Sequence, residues 1–335
     1  MQAMKIYVVK DLGENVASDL FAELLNEQHL AKEIREADIY LFCTLGLSPQ
    51  QIAKIAEHPL VKTDLRKCAM ISDEDHPTPL LPGLYTALPR MAFISIRSWK
   101  KHFRTICYFS RHNPYIRKLR DTDISIKYLY SFVGSATSGV RQRLLKLQPK
   151  RSDVLIRQTE AESFWKSFVW IHGVRVKAEN KDYVKNYANE ILESKFILCP
   201  KGNGNSSYRF FEVIEAGRVP VVISDSYVFP NIPYDWNDIV IRVKERDIDA
   251  VEDIIAKNEH RFADMAKLSR KVYDEFFLDK SAFILRSLQE ITQTRRLKSP
   301  QLYPFFRIKW VTPLKFSYRF KPFVGRMISK LRRSR

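Results

Sequence analysis

Apolar, β-branched runs alternate with segments of helical period along the first seventy residues. KIYVV predicts a strand, 16–34 a helix, ADIYLF a strand, 48–58 a helix and KCAMIS a third strand. Strand-helix-strand repetition of this kind belongs to parallel strands joined by crossover helices. It predicts an α/β layer structure in which ligands sit beyond the carboxyl ends of the strands. A Pro-rich loop follows (DEDHPTPLLPGLYTALPR), then the short apolar runs AFISI and TICYF and a basic, helix-poor stretch to Arg120. The second half opens with SIKYLYSFVGS, a strand closing on Gly134. A helix near 139–148, a strand at VLI, a helix over 181–194 and the strand FILC come next. VPVVIS and DIVIRV add two strands, and helical patterning runs from about Asp247 to Leu297. The expected fold class is α/β, with two Rossmann-like domains (1–120 and 121–297) facing across a cleft and a tail at 298–335.

Composition narrows the class. With 335 residues, 45% hydrophobic and 28% charged, the chain is long enough and apolar enough for two folded domains. The first residues hold only a short apolar run with no cleavage pattern behind it, and no stretch approaches the roughly 20 apolar residues of a membrane-crossing helix. The expectation is a cytoplasmic chain, neither exported nor membrane-spanning. Cys43, Cys68, Cys107 and Cys199 are scattered, without CxxC pairs, and read as reduced core thiols. The net charge of +18 is localised: Arg295 to Arg335 carries 13 Lys or Arg and no acid, and Arg90 to Arg120 carries nine and no acid. The rest of the chain is slightly acidic.

The segment from Cys199 to Asp225, CPKGNGNSSYRFFEVIEAGRVPVVISD, carries the chemistry. Pro200, Gly202 and Gly204 form a turn after a strand, Ser206 or Ser207 is suited to cap a helix, and Gly217 is suited to end it with Pro220 beyond. A strand, a glycine loop and a helix start together offer backbone N–H groups to a phosphate. The loop is neither a Walker A sequence nor GxGxxG. Arg209 falls in the first helical turn with Glu212 three residues on, on the same face. A guanidinium there can grip a diphosphate bidentately, and the carboxylate can accept hydrogen bonds from ribose hydroxyls. The same two residues could equally form an i,i+3 surface pair beside an ordinary turn.

The combined pattern resembles the signature of the exostosin glycosyltransferases. It runs through Pro200 and Gly202, Arg209 and Glu212, Ala216-Gly217, Pro220-Val221 and Ser224-Asp225, then Pro230, Asp235-Trp236 and Val243 to Glu245. Upstream, FVGSATSGVRQRLL (Phe132 to Leu145) is similar to a further stretch of that family, and the likeness covers roughly 125–280. The resemblance implies a GT-B fold, inversion at the anomeric carbon and a nucleotide-sugar donor, usually UDP-linked, held by the second domain. Arg209 would then meet the diphosphate and Glu212 the ribose, with Arg141 adding charge and Asp225 on the donor side. Eukaryotic members carry a membrane anchor before the catalytic part. Its absence here fits a bacterial cytoplasmic enzyme of surface polysaccharide synthesis acting on a glycan or lipid-linked acceptor.

Inversion requires a base for the acceptor hydroxyl, facing the donor from the first domain. ISDEDHP follows the CAMI strand, where an α/β domain places its ligand loop, so Asp73, Asp75 and His76 are the candidates; a solvated acidic loop is the plainer alternative. Asp73-Glu74-Asp75 also matches the metal-binding DxD pattern, as do Asp121-Thr122-Asp123 and Asp247-Ile248-Asp249. Fixed positive charge can stabilise the leaving nucleotide without a metal, so no metal or other cofactor is expected. HExxH and cysteine pairs of ligand spacing are absent. From Tyr303 to Arg335 aromatics interleave with the basic residues, the composition of a segment lying on an anionic membrane, here the inner face of the plasma membrane. The rival readings are a GDP-fucose-type transferase, a non-catalytic nucleic-acid-binding or membrane-binding protein, and an inactive scaffold. No nucleic-acid-binding motif accompanies the tail, so nucleic acid is not expected as a partner.

Overall fold

The computed structural model describes residues 3–12, 21–23, 25, 27–45, 47, 49–88, 102–109, 113–159 and 181–295. The tail at 298–335, the AFISI run and much of the segment 16–34 lie outside the described residues, and of the helix expected over 16–34 the described Glu27–His29 forms only a 3-10 turn. β1 (Ile6–Val9), β2 (Ile39–Cys43), β3 (Cys68–Ser72), β4 (Gly83–Tyr85) and β5 (Phe103–Thr105) form one parallel sheet in chain order. β6 (Tyr128–Gly134), β7 (Val154–Gln158), β8 (Ser194–Pro200), β9 (Val219–Ile223) and β10 (Ile241–Val243) form a second parallel sheet in the order β10-β9-β8-β6-β7. All residues of β2, β3 and β9 are buried. A parallel strand covered on both faces has no solvent side, which is why these segments read as unbroken apolar runs. Pro220 is tolerated in β9 because it precedes Val221, where the register with β10 begins.

The helices of the first lobe depart from the sequence expectation. α1 (Pro49–Ile55) was expected, whereas α2 (Pro59–Thr63) and α3 (Pro114–Leu119) were not. Each of the latter two starts with proline behind a capping side chain: His58 accepts from the Leu60 N–H at 3.2 Å and Asn113 from the Tyr115 N–H at 3.0 Å. β4 lies inside the Pro-rich segment predicted to be loop, and three residues are too few to show a period. TICYF gives only the end of β5; Ile106 to Phe109 leave the sheet but stay buried.

In the second lobe, α4 (Gly139–Leu144), α5 (Lys181–Leu192) and α6 (Arg209–Glu215) fall where the sequence predicts helices. The helical stretch after Asp247 is divided into α7 (Val251–Asn258), α8 (Phe262–Val272) and α9 (Lys280–Arg295), with a π-turn at Tyr273–Phe277 between the last two. α9 returns to the first sheet and packs on β4, and its Glu290 forms an ion pair with Arg104 of the neighbouring β5 at 3.1 Å. One apolar core extends from Ile6 to Ile291 through both sheets. Among the described residues, no helix is long and apolar enough to cross a membrane.

α6 ends as expected at Gly217, whose φ is +63°. The Gly217 N–H bonds to Ile214 O at 3.2 Å and the Arg218 N–H to Val213 O at 3.0 Å, the bond pair of a Schellman motif. Gly217→Ala should lower the unfolding free energy by about 1–2 kcal/mol, and Gly217→Asn by less, in chemical denaturation.

Candidate functional site

β6 stays paired with β7 as far as Gly134 and β8 with β9 as far as Pro200, but the pairing of β6 with β8 ends at Ser131 and Ile197. From here the chain leaves β6 toward one edge of the sheet and β8 toward the other, a switch point at which α/β sheets open a crevice. Carbonyl groups on the parting strands need new donors. Arg209, the first residue of α6, supplies them: Nη2 donates to Val133 O at 2.6 Å and Nη1 to Leu198 O at 3.3 Å. Gly134 leaves the room, since a Cβ there would stand 2.6 Å from Nη2. The guanidinium lies 4.5 Å from the centre of the Phe132 ring.

The third Arg209 bond links it to Glu212. Nε donates to the Tyr187 hydroxyl at 2.9 Å, and that hydroxyl donates to Glu212 Oε2 at 3.1 Å. Arg209 is 3% exposed and Glu212 6%, so these residues are not a surface pair. Burial opposes the charge on Arg209, but the surrounding tyrosine oxygens keep its pKa above the ordinary value. Burial pushes Glu212 up to about 7 against the opposing pull of Arg209 and the Tyr187 hydrogen bond.

Arg141 stands on α4 beside this cluster. Ser138 caps α4 through the Arg141 N–H at 3.3 Å, and its hydroxyl donates to Lys201 O at 2.9 Å, fastening the helix to the loop after β8. The Arg141 side chain is 9% exposed and makes one long bond, from Nη1 to Ser135 O at 3.5 Å. Among the described residues, Nε has no hydrogen-bond partner, and a Cβ on Gly202 would stand 3.0 Å from Nη2. Burial, and then the positive charge of Arg209, pushes its pKa down to about 10. The Ser207 hydroxyl is likewise buried without a partner among the described residues.

Neither Ser206 nor Ser207 caps α6, contrary to expectation; the N-cap is Tyr208, with no side-chain bond. The loop is instead set by the first lobe. Ser206 Oγ lies 2.7 Å from the hydroxyl of Tyr108, and a Cβ on Gly204 would stand 2.9 Å from Asp75 Cα. Asp75 thus sits opposite the glycine loop, half-buried, with Tyr108 donating to its Oδ1 at 3.4 Å. Asp73 is buried at the end of β3, where its charge and that of Lys280 act on Cys107, while His76 is exposed. Asp225 is exposed and exchanges two 3.1 Å bonds with Glu245, side chain to main chain in each direction; no bond joins it to Arg141, Arg209 or Glu212 among the described residues. Asp121 and Asp249, from the other DxD matches, pair with Arg270 at 2.7 Å and Arg143 at 3.1 Å. Among the described residues, no three His, Cys, Asp or Glu gather as a metal site.

Tyr187 and Tyr108 are the site residues that sequence reasoning missed. Tyr187 lies on a helix it did predict, but an aromatic at helical spacing looks like core, and only the fold reveals its partners. Cys199 is buried with its thiol pushed up to about 12 by burial, as suits a core residue. Glu212 binds its proton more tightly folded, at about 7, than the ordinary carboxyl of an unfolded chain, at 4.5. Its ionisation therefore removes stability as pH rises between these values. Glu212→Gln should be free of that loss, so its melting temperature should gain on the wild type from about pH 4.5 to 7 and level off above.

The sequence profile of the exostosin GT47 domain matches residues 79–257, more than half of the chain. An exostosin-1 homolog of Caenorhabditis elegans is 31% identical over 174 residues, which is 50% of this chain and 43% of that protein. The probable glucuronoxylan glucuronosyltransferase IRX7 of Arabidopsis thaliana is 40% identical over 70 residues, 21% of this chain and 16% of that protein. The chain thus spans less than half the length of these relatives. Among solved structures, the lipopolysaccharide glycosyltransferase WaaG aligns over 86% of this chain and 100% of its own, at a TM-score of 0.38 and 11% identity. By its match across the segment that holds Arg141, Arg209 and Glu212, the chain belongs to the exostosin GT47 family.

Proposed function

We propose that this chain is an inverting glycosyltransferase that transfers a sugar from a nucleotide-sugar donor, UDP-linked as the exostosin likeness implies, to a glycan or lipid-linked acceptor of a surface polysaccharide. The observation that carries the reading is the pair of buried guanidiniums, Arg141 and Arg209, where β6 and β8 part beside Gly202. Among the described residues, no carboxylate is bonded to Arg141, and its Nε and the Ser207 hydroxyl are buried donors without acceptors. A diphosphate supplies both the missing charge and the missing acceptors. Glu212, whose Oε2 is engaged by Tyr187, keeps Oε1 for ribose hydroxyls.

In the reaction the acceptor hydroxyl attacks the anomeric carbon, the bond from that carbon to the diphosphate oxygen breaks, and the hydroxyl proton passes to a carboxylate. Asp75 is proposed as that base, because it faces the glycine loop and is near enough to Arg141 to favour its charge. Arg141 and Arg209 stabilise the charge gathering on the leaving nucleotide, and the proposal needs no metal for that task. Arg141 is the better probe of the two, because Arg209 also joins the parting strands.

In a thermal-shift series with UDP, GDP and CMP, one nucleotide should stabilise the protein in EDTA, and Arg141→Ala should abolish the shift. Asp75→Asn should keep the shift while reducing transfer about 10²–10⁴-fold. Stabilisation that needs Mn²⁺ and ignores Arg141 would move the site to the acidic loop, and no stabilisation by any nucleotide would sink the reading.

A second part of the proposal concerns the tail and rests on sequence. Tyr303, Phe305, Phe306, Trp310, Phe316, Tyr318, Phe320 and Phe323 among 13 basic residues from Arg295 onward suit a peripheral segment on anionic lipid. Each charge adds about 1 kcal/mol near such a surface. Deleting 299–335 should abolish co-sedimentation with phosphatidylserine-containing vesicles, and undiminished binding would refute it.

A further inference from the structure

Among the described residues, no ion pair joins Arg209 to Glu212 directly; the Tyr187 hydroxyl stands between them. A hydroxyl has one proton to give. Since it accepts from Arg209 Nε at 2.9 Å, that proton is directed to Glu212 Oε2 at 3.1 Å, and both partners are fixed by a single atom. Tyr187 comes from α5, an element apart from α6, and its ring centre lies 5.8 Å from the Arg209 guanidinium. We propose that Tyr187 is a positioning residue of the donor site, whose hydroxyl holds the Arg209 guanidinium and the Glu212 carboxylate in the mutual arrangement that receives the nucleotide. This rests on the nucleotide-sugar reading above.

The arrangement orients what remains free. With Nε on Tyr187 and one N–H of each terminal nitrogen on Leu198 O and Val133 O, Arg209 retains two N–H groups for a phosphate. With Oε2 on Tyr187, Glu212 presents Oε1. The bond also favours the ionised carboxylate, the form able to accept from ribose hydroxyls. Other groups bear on Glu212 too. From its own segment these are Tyr208, Arg209 and Glu215; from the first lobe, Cys107 and Tyr108; from the C-terminal helices, Tyr273 and Lys280. Burial and Glu215 favour the proton, while Arg209, Tyr187 and Lys280 favour its loss.

Tyr187→Phe removes the hydroxyl and keeps the ring. Calorimetric titration with UDP, or with GDP if that is the nucleotide bound, should show roughly tenfold weaker binding at pH 8. Binding by the wild type should weaken as pH falls through about 7, and in Tyr187→Phe this acid limb should move to higher pH. In the unliganded protein, the stability loss that Glu212→Gln abolishes should likewise move to higher pH in Tyr187→Phe, a shift that a purely space-filling ring would not cause. Wild-type affinity with an unmoved acid limb in Tyr187→Phe would overturn the role of Tyr187 alone. Failure of the wild type to bind any nucleotide would overturn it together with the functional reading, so the two failures are distinct.

Discussion

The site depends on one substitution of hydrogen-bond donors: where β6 and β8 stop pairing, the guanidinium of Arg209 takes the place of the ladder. Parting strands expose carbonyl oxygens that would be costly to bury unmet, at about 1–3 kcal/mol each. Arg209 meets two of them, at Val133 and Leu198, with a planar group wide enough to reach both strands. A lysine would bring a point charge without the fork. The switch point is thus stabilised by the residue that gives it positive charge, so simple truncation of Arg209 removes its structural and electrostatic roles together.

Burying that charge shapes its surroundings. Arg141 cannot lower the cost, since it is positive as well, and its pKa is depressed by burial and by Arg209. Glu212 compensates only in part, because burial holds it near neutrality at about 7. The Tyr187 hydroxyl contributes as well, accepting from Nε without adding charge. A site so composed retains net positive character in a dry setting, where an anion is bound more strongly than at the surface.

The glycine loop owes its position to the other lobe. Tyr108 meets Ser206, the backbone of Asp75 backs onto Gly204, and Lys280 at the start of α9 donates to Tyr108 O at 2.7 Å. Because α9 also packs on β4, the chain crosses between the lobes twice, and the loop after β8 is wedged where they meet. Ser206 is consequently engaged across the seam and does not cap α6.

The sequence by itself determined the α/β class, the parallel strands, the helix stop at Gly217 and the segment in which Arg209, Glu212 and Gly202 lie. Strand burial and the glycine stop of a helix are local consequences of residue type, and both leave a pattern that can be read. Short elements such as β4 and α2 escaped that reading because three and five residues are too few to repeat a period. Tertiary structure alone decided that Arg209 faces inward to Val133 and Leu198, that Tyr187 joins it to Glu212, that Asp75 confronts the loop and that Asp225 turns to Glu245. Those outcomes follow from which strands diverge and which lobes touch. Such contacts join residues as much as 129 positions apart, as between Asp75 and Gly204, and no local pattern encodes them.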